Sequence, residues 1–478
     1  MATPETRLFI NGEFVPSISG KTFPIHNPAT EEKITDVFEA DTEDVEVAFT
    51  AAENAFPAWR DLSTFDRISK CMKFADLIER DQLEIANLES QNVGVPAAFY
   101  LYLVARAIQD IRQIAGLAHD IHGETSLNTP GHVSLTLRQP FGVCAAILAW
   151  NVPIIIFTSK VIPCVVAGNT IIVKSSEKAP LTSLKLAALA AEAGFPAGVI
   201  NVLSGFGHTV GASLSSHMRI RKITFTGSTR AGKLIMEAAA KSNAKSVSLE
   251  MGGKNPLVAF SDCNVEETAA IAAAGIKFNS GQICASNSRL YVHKDIFEKF
   301  VKVFCDFFSD VQIGNPLDMT TTFGPQVDKL QFDQILKLIE EAKSEGATLV
   351  TGGARATEKG YFIKPTVFVR VPVTANILQT EVFGPVVVIQ EFESEDEVIA
   401  ECNKTEYGLH ASVFTKDISR AVGMAKALET GMVSINTDNS ASAYDMPFGG
   451  WKQSGNGREL GKTGLEAFYE VKTVAIKL

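Results

Sequence analysis

The sequence predicts an α/β protein with two mainly parallel sheets and a small separate β element. Residues 145–148, 170–173, 199–203 and 222–226 read as short buried strands, with helical periods over 182–193 and 210–217 between them. This βαβ rhythm implies a parallel sheet covered by helices on both faces. The alternation restarts after Gly253, with helices over 265–277, 294–310 and 332–345 and strands over 289–292 and 386–391. The turn signal Asn128-Thr129-Pro130-Gly131 precedes alternating Val133, Leu135 and Leu137, which reads as a protruding hairpin. Residues 471–478 read as a further strand outside both alternations.

Apolar residues near a 3.6 period add helices over 45–59 and 65–89. These patterns divide the chain into a first domain of 1–121 with 141–252, a second of 253–455, and a hairpin and terminal strand of 122–140 with 456–478.

At 478 residues the chain exceeds one ordinary core, and 46 % hydrophobic with 21 % charged residues is globular usage. Acidic residues outnumber basic ones, 54 to 44, for a net charge of −10, which argues against nucleic acid or an anionic membrane surface as partner. The most apolar stretch, 141–168, contains Asn151, Pro153, Lys160 and Pro163, a set that a lone membrane helix would not carry together. The opening residues are polar where a secretory signal would be apolar, so a cytoplasmic location is expected. Seven scattered cysteines without a C-x-x-C pair match neither a disulfide framework nor a zinc site, and no metal is expected.

Among those cysteines, Cys284 closes Asn279-Ser280-Gly281-Gln282-Ile283-Cys284, where small residues past a helix would leave the sulfur in an open, amide-rich turn. A buried, inert thiol is the alternative. Glu250 ends an apolar run beside Gly252 and Gly253. Paired with a nucleophile it suits a base that activates water; alone it would be a turn or cap residue. Asn151 lies in an apolar run, where its amide serves either an oxyanion or the turn itself.

Gly227 and Ser228 sit between a strand and a helix, where amides face a phosphate or merely make the turn. Gly205-Phe206-Gly207-His208-Thr209-Val210-Gly211 misses the dinucleotide fingerprint by one residue, so Gly207 enters only as backbone near an adenosine. Lys174 and Glu177 follow a strand at the ligand-binding edge of a parallel sheet, as ligand contacts or as a solvated pair.

Taken together, these segments resemble the NAD(P)-dependent aldehyde dehydrogenase superfamily over essentially the whole chain. Glu250 precedes Cys284 by 34 positions, Glu381-Val382-Phe383-Gly384-Pro385 begins 97 positions after it, and Pro447-Phe448-Gly449-Gly450-Trp451-Lys452-Gln453-Ser454-Gly455 matches the C-terminal signature. The resemblance implies a Rossmann-like cofactor domain, a second α/β catalytic domain and a small β oligomerisation element. It makes Cys284 the nucleophile, Asn151 the oxyanion donor and Glu250 the base that hydrolyses a thioester.

The resemblance also puts Lys174 and Glu177 on the adenosine ribose, Gly227 and Ser228 near the pyrophosphate with Trp150 backbone close by, Glu381 on the nicotinamide ribose and Phe383 by the ring. NAD is expected over NADP because Glu177 would repel a 2′-phosphate. Relatives place aromatics where this chain has Val152 and Ser159, which implies a wide tunnel, with Phe157 and Phe448 as apolar wall and Arg106 at the mouth. A bulky apolar or aromatic aldehyde is the expected substrate, and a homodimer or homotetramer the expected assembly. A CoA-acylating dehydrogenase and a nucleotide-free cysteine esterase are the alternatives.

Overall fold

The computed structural model describes residues 3–438 and 445–478. Its first sheet has eight described strands. Ser246–Glu250, Lys222–Thr226, Val143–Ile147, Thr170–Ser175 and Ile200–Ser204 lie parallel in that spatial order. The order reverses at Val143–Ile147, whose neighbours on its two sides are reached by crossovers in opposite directions; ligands bind such sheets beyond the strand ends at this switch. Every residue of Thr170–Ser175 is buried, as expected of a strand covered on both faces. The helices Thr42–Arg60, Pro153–Val166 and Leu181–Glu192 supply that cover.

The second sheet runs Thr348–Thr351, Thr366–Val369, Val386–Phe392, Asn287–His293, Asn255–Ala259, His410–Phe414, Met432–Ile435, parallel except at its first strand. The hairpin forms as expected: Thr125–Ser126 pairs with His132–Pro140, and Tyr469–Lys477 lies antiparallel along the whole of His132–Pro140.

Three expectations need correction. The helix read over 65–89 is two helices, Thr64–Arg80 and Gln82–Val93. Asp81 breaks it, its carboxylate held by Arg80 at 2.7 Å and Lys185 at 2.8 Å. The helix read from 294 begins with the separate turn Lys294–Ile296, because the His293 ring accepts the Asp295 amide. Finally, residues Gly455–Asn456 form an antiparallel edge strand against Leu249 and Glu250, so a division at 455/456 cuts a strand. That strand returns the chain to the first sheet, three residues ahead of Glu459. No described helix is long and apolar enough to cross a membrane.

Candidate active site

Cys284 follows a turn, Phe278–Gly281, in which Asn279, Ser280 and Gly281 all have left-handed backbone, with φ of 46°, 52° and 78°. Each non-glycine residue there costs about 1–2 kcal/mol, so the turn persists only because its surroundings hold it. The Asn279 amide donates to the Asn151 carbonyl at 2.8 Å, and the Ser280 hydroxyl to the Gly324 carbonyl at 2.7 Å. The Gln282 side chain donates to Asn279 O at 3.0 Å and accepts the Val327 amide at 2.9 Å. Gly281 admits no side chain, since a Cβ would lie 2.1 Å from the Gly384 carbonyl oxygen.

Asn151 comes to the same place from the first sheet, in the turn between Val143–Ile147 and Pro153–Val166. It is 4 % exposed and its amide donates to the Gln282 carbonyl at 3.0 Å, leaving the second amide hydrogen for another acceptor. Glu250 is the last residue of its strand. Asn151, Glu250 and Cys284 together line a cavity of about 550 Å³.

Burial, chiefly, and then the nearby Glu250 carboxyl push the Cys284 thiol well above its ordinary range. Glu250 is raised to about 8, first by burial and then by the charge of Glu459, against the opposing pull of the Cys284 thiol and the Lys160 ammonium. Its Oε1 has no hydrogen-bond partner among the described residues. A thiol, an amide donor and a carboxyl near neutrality around one cavity can add to a carbonyl carbon, hold the resulting oxyanion and deprotonate water.

Of the residues expected along the substrate tunnel, Val152, Ser159, Phe448 and Arg106 line this cavity. Phe157 does not. It is fully buried in the core of the first domain, because cavity-facing positions on this helix run 152, 155, 156, 159 and residue 157 projects to the opposite side. Arg106 is no solvated helix charge. Its Nε donates to the two oxygens of Asp110 at 3.2 and 3.3 Å, and both residues belong to the cavity wall.

Lys160 and Glu459 were not singled out from sequence. Lys160 is fully buried, ion-paired with Glu459, and donates to the Thr224 hydroxyl at 3.3 Å, while Ser159 donates to Glu459 at 3.4 Å. A lysine inside the most apolar stretch of the chain was the available signal, since a buried cation requires a partner. Nothing local marked Glu459, almost 300 residues away.

Trp150, Lys174, Gly227 and Ser228 cluster at the carboxyl ends of neighbouring strands Val143–Ile147, Thr170–Ser175 and Lys222–Thr226. Lys174 donates to Glu177 at 2.9 Å. Gly227 has no room for a side chain, a Cβ there falling 2.6 Å from the Phe225 ring, and Ser228 caps the helix Thr229–Lys241 through the Ala231 amide. Gly207 is exposed and opens the helical turn Gly207–Gly211 beyond the next strand, Ile200–Ser204.

From the second domain, Glu381 accepts the Gly253 amide at 2.9 Å and is raised to about 7, mainly by burial. Phe383, at φ 55°, meets the Trp150 ring edge to face, with centroids 5.4 Å apart.

Fold and site define a two-domain α/β enzyme in which the ligand-binding edge of a nucleotide-type sheet faces a thiol–carboxyl pair. The chain belongs to the aldehyde dehydrogenase family, whose model matches residues 14–474. It is 47 % identical to aldehyde dehydrogenase, cytosolic 1, of Mus musculus over 477 residues, covering 99 % of this chain and 95 % of that one. Among solved structures it is similar to the aldehyde dehydrogenase KauB from Pseudomonas aeruginosa, with a TM-score of 0.98, 39 % identity and coverage of 100 % and 97 % of the two chains. It is also similar to an aldehyde dehydrogenase from Bacillus cereus in its NAD+ complex, with a TM-score of 0.97, 41 % identity and coverage of 99 % and 97 %.

Proposed function

We propose that this enzyme oxidises a bulky apolar or aromatic aldehyde to its carboxylic acid with NAD, using Cys284 as nucleophile, Asn151 as oxyanion donor and Glu250 as hydrolytic base. The observation that carries the reading is the convergence of these three side chains on one cavity from three separate segments. The sheet edge fits the cofactor: Gly227 has no room for a side chain beside a capped helix N-terminus, where amides favour a pyrophosphate, and Lys174 with Glu177 lies two strands away across Val143–Ile147, within the span of an adenosine. Gly207 backbone would flank the adenosine, Trp150 backbone the pyrophosphate, and Glu381 and Phe383 the nicotinamide riboside.

Cys284 Sγ attacks the carbonyl carbon, its proton leaving to the adjacent Glu250 carboxylate or to solvent. The new oxyanion takes the second Asn151 amide hydrogen and the Cys284 backbone amide. When bound, NAD supplies the acceptor for the hydride that leaves the thiohemiacetal carbon. Oxidation leaves a thioester on Sγ. Glu250 then removes a proton from water as its oxygen attacks the thioester carbon, and the C–S bond breaks to release the acid.

The cavity supports a substrate of some size. Val152 and Ser159 contribute little volume, while Phe99, Leu103, Phe278 and Phe448 supply apolar wall. The Arg106–Asp110 pair sets a polar point in that wall for a hydroxyl or carboxylate on the substrate. The 252/253 division separates the cofactor and catalytic units. A homo-oligomer formed through the hairpin and Tyr469–Lys477 would pair an otherwise open strand edge, and a cytoplasmic location suits the composition.

The test is NADH formation from benzaldehyde-type, long aliphatic, acetaldehyde and succinic-semialdehyde substrates, with and without CoA, beside an ester-hydrolysis control. CoA-independent NADH formation with a Cys284-dependent acid product is expected. Strict dependence on CoA, or ester hydrolysis without any dehydrogenation, would overturn the reading.

A further inference from the structure

Asn255 opens the strand Asn255–Ala259, is 2 % exposed and lies outside the cavity lining. The next residue, Pro256, has no amide hydrogen, and the pairing with Asn287–His293 slips by one residue here: Asn255 stands opposite Asn287 and Pro256 opposite Arg289. The ladder between these strands begins at that point, three residues past Cys284.

The Asn255 side chain carries the pairing back toward the nucleophile. Its amide nitrogen donates to the Ser286 carbonyl at 2.9 Å and to the Cys284 carbonyl at 2.8 Å, while its oxygen accepts the His410 amide at 3.1 Å. Both amide hydrogens are used, and the orientation of the group is settled because carbonyls only accept and a main-chain amide only donates. The same approach needs a glycine at 253, where a Cβ would lie 2.5 Å from the Cys284 carbonyl oxygen and 2.6 Å from Asn255 Oδ1. Residues 250–255 thus carry the Glu250 carboxyl, the Gly253 amide that Glu381 accepts at 2.9 Å, and the clamp on the Cys284 carbonyl.

We propose that Asn255 is a positioning residue that fixes the main chain of Cys284 against the segment carrying Glu250, and so sets the thiol in reach of its base and of the oxyanion donors. The proposal rests on Cys284 serving as nucleophile. Attack on a carbonyl tolerates little displacement, about 1 Å costing up to about 10² in rate, so the effect falls on the chemical step and not on cofactor affinity.

The test is the single-turnover rate of NADH formation with enzyme in excess, NAD saturating, and the aldehyde of the panel above that the parent oxidises fastest. Asn255→Ala, Asn255→Ser, Ser412→Ala and Cys284→Ala are compared. Ser412→Ala is the control for a lost buried hydrogen bond, since Ser412 donates at 3.0 Å to Asn287 in the same sheet and not to Cys284. Asn255→Ala should form NADH about thirtyfold more slowly, with Kd for NAD within about twofold of the parent. Asn255→Ser keeps one donor and should recover part of that loss, while Ser412→Ala should lower the thermal midpoint and leave the rate within about twofold. If the alanine variant does not fold, the serine variant makes the test, with a rate at least about threefold below the parent. A rate in folded Asn255→Ala, or in its serine substitute, no slower than that of Ser412→Ala would overturn the proposal, as would a loss explained by weaker NAD binding. NADH formation that persists in Cys284→Ala would show instead that the nucleophile reading has failed.

Discussion

The side-chain amide of Asn279 donates a 2.8 Å hydrogen bond to the main-chain carbonyl of Asn151, joining a left-handed turn of the second domain to the turn that precedes a helix in the other. The bond ties the Asn151 turn to the loop ahead of Cys284, the two segments that the proposed mechanism brings to one carbonyl. Asn279→Ala removes the donor and forces alanine to φ 46°, which together should cost about 2–3 kcal/mol. Its thermal midpoint and its acylation burst should fall together. Asn151→Ala keeps the main-chain carbonyl that Asn279 bonds but loses the oxyanion donor together with the bond to the Gln282 carbonyl, so acylation should slow by about 10²–10³. A parental burst in the Asn279 variant would show that the turn is held without it.

Cys284 should be the sole essential thiol. Cys71 and Cys402 are fully enclosed in apolar clusters, whereas Cys284, whose thiol burial also raises, is the one cysteine on the cavity wall, beside the Glu250 carboxyl that could take its proton. Cys284→Ser should lose dehydrogenase activity by several orders of magnitude, and Cys71→Ala and Cys402→Ala should keep it at some cost in stability. Turnover by the Cys284 variant would exclude the covalent route.

With Glu250 raised to about 8, the carboxyl is mostly protonated at neutral pH and gains its charge as pH rises through that value. Hydrolysis limited by this base should therefore accelerate up to about pH 8 and level off above it. Glu459 is the second cause of the rise after burial, so Glu459→Gln removes a repelling charge, leaves the Lys160 ammonium unopposed, and should move the limb to lower pH. Glu250→Gln should keep a burst of about one NADH per enzyme while steady turnover collapses. A steady-state profile without a shift in the Glu459 variant would separate that residue from the base.

What the chain revealed before folding follows the range of the interactions involved. The βαβ alternation is local, and strands such as Thr170–Ser175 announced themselves because burial on both faces demands a continuous apolar run. Cys284, Glu250 and Asn151 were legible because each breaks a local pattern, a polar or nucleophilic group where apolar residues surround it. Phe157 was misplaced because apolar character does not say which side of a fully buried helix faces a cavity; all but one residue of Pro153–Val166 is buried. The Lys160–Glu459 pair depends on tertiary distance alone.

Glu177 should set the choice of dinucleotide. Its carboxylate is tied to Lys174 at 2.9 Å, which fixes a negative charge where an adenosine 2′-hydroxyl would bond and a 2′-phosphate would be repelled. The parent should have the higher kcat/KM with NAD. Glu177→Gln leaves the Lys174 ammonium facing the ribose alone and should raise the NADP-to-NAD ratio by about tenfold, the equivalent of about 1.4 kcal/mol. A ratio unmoved by the substitution would mean that the Glu177 carboxylate does not face the ribose.

Ser159 and Val152 should determine substrate size. Ser159 is 7 % exposed on the cavity wall, hydrogen-bonded to Glu459, and its small volume leaves space that a larger ring could take. Ser159→Phe should lower kcat/KM for benzaldehyde-type substrates by about tenfold or more while sparing or improving acetaldehyde, because overfilling a packed wall costs about 1–3 kcal/mol against a bulky ligand and nothing against a small one. Arg106→Ala separates size from polarity. It frees Asp110, already raised to about 6 chiefly by burial, from its guanidinium, so the carboxyl should become harder to ionise and acidic substrates should lose a cationic partner. Succinic semialdehyde should then suffer selectively and benzaldehyde hardly at all. A parent enzyme that prefers acetaldehyde, and is indifferent to Ser159→Phe, would refute the wide-cavity reading.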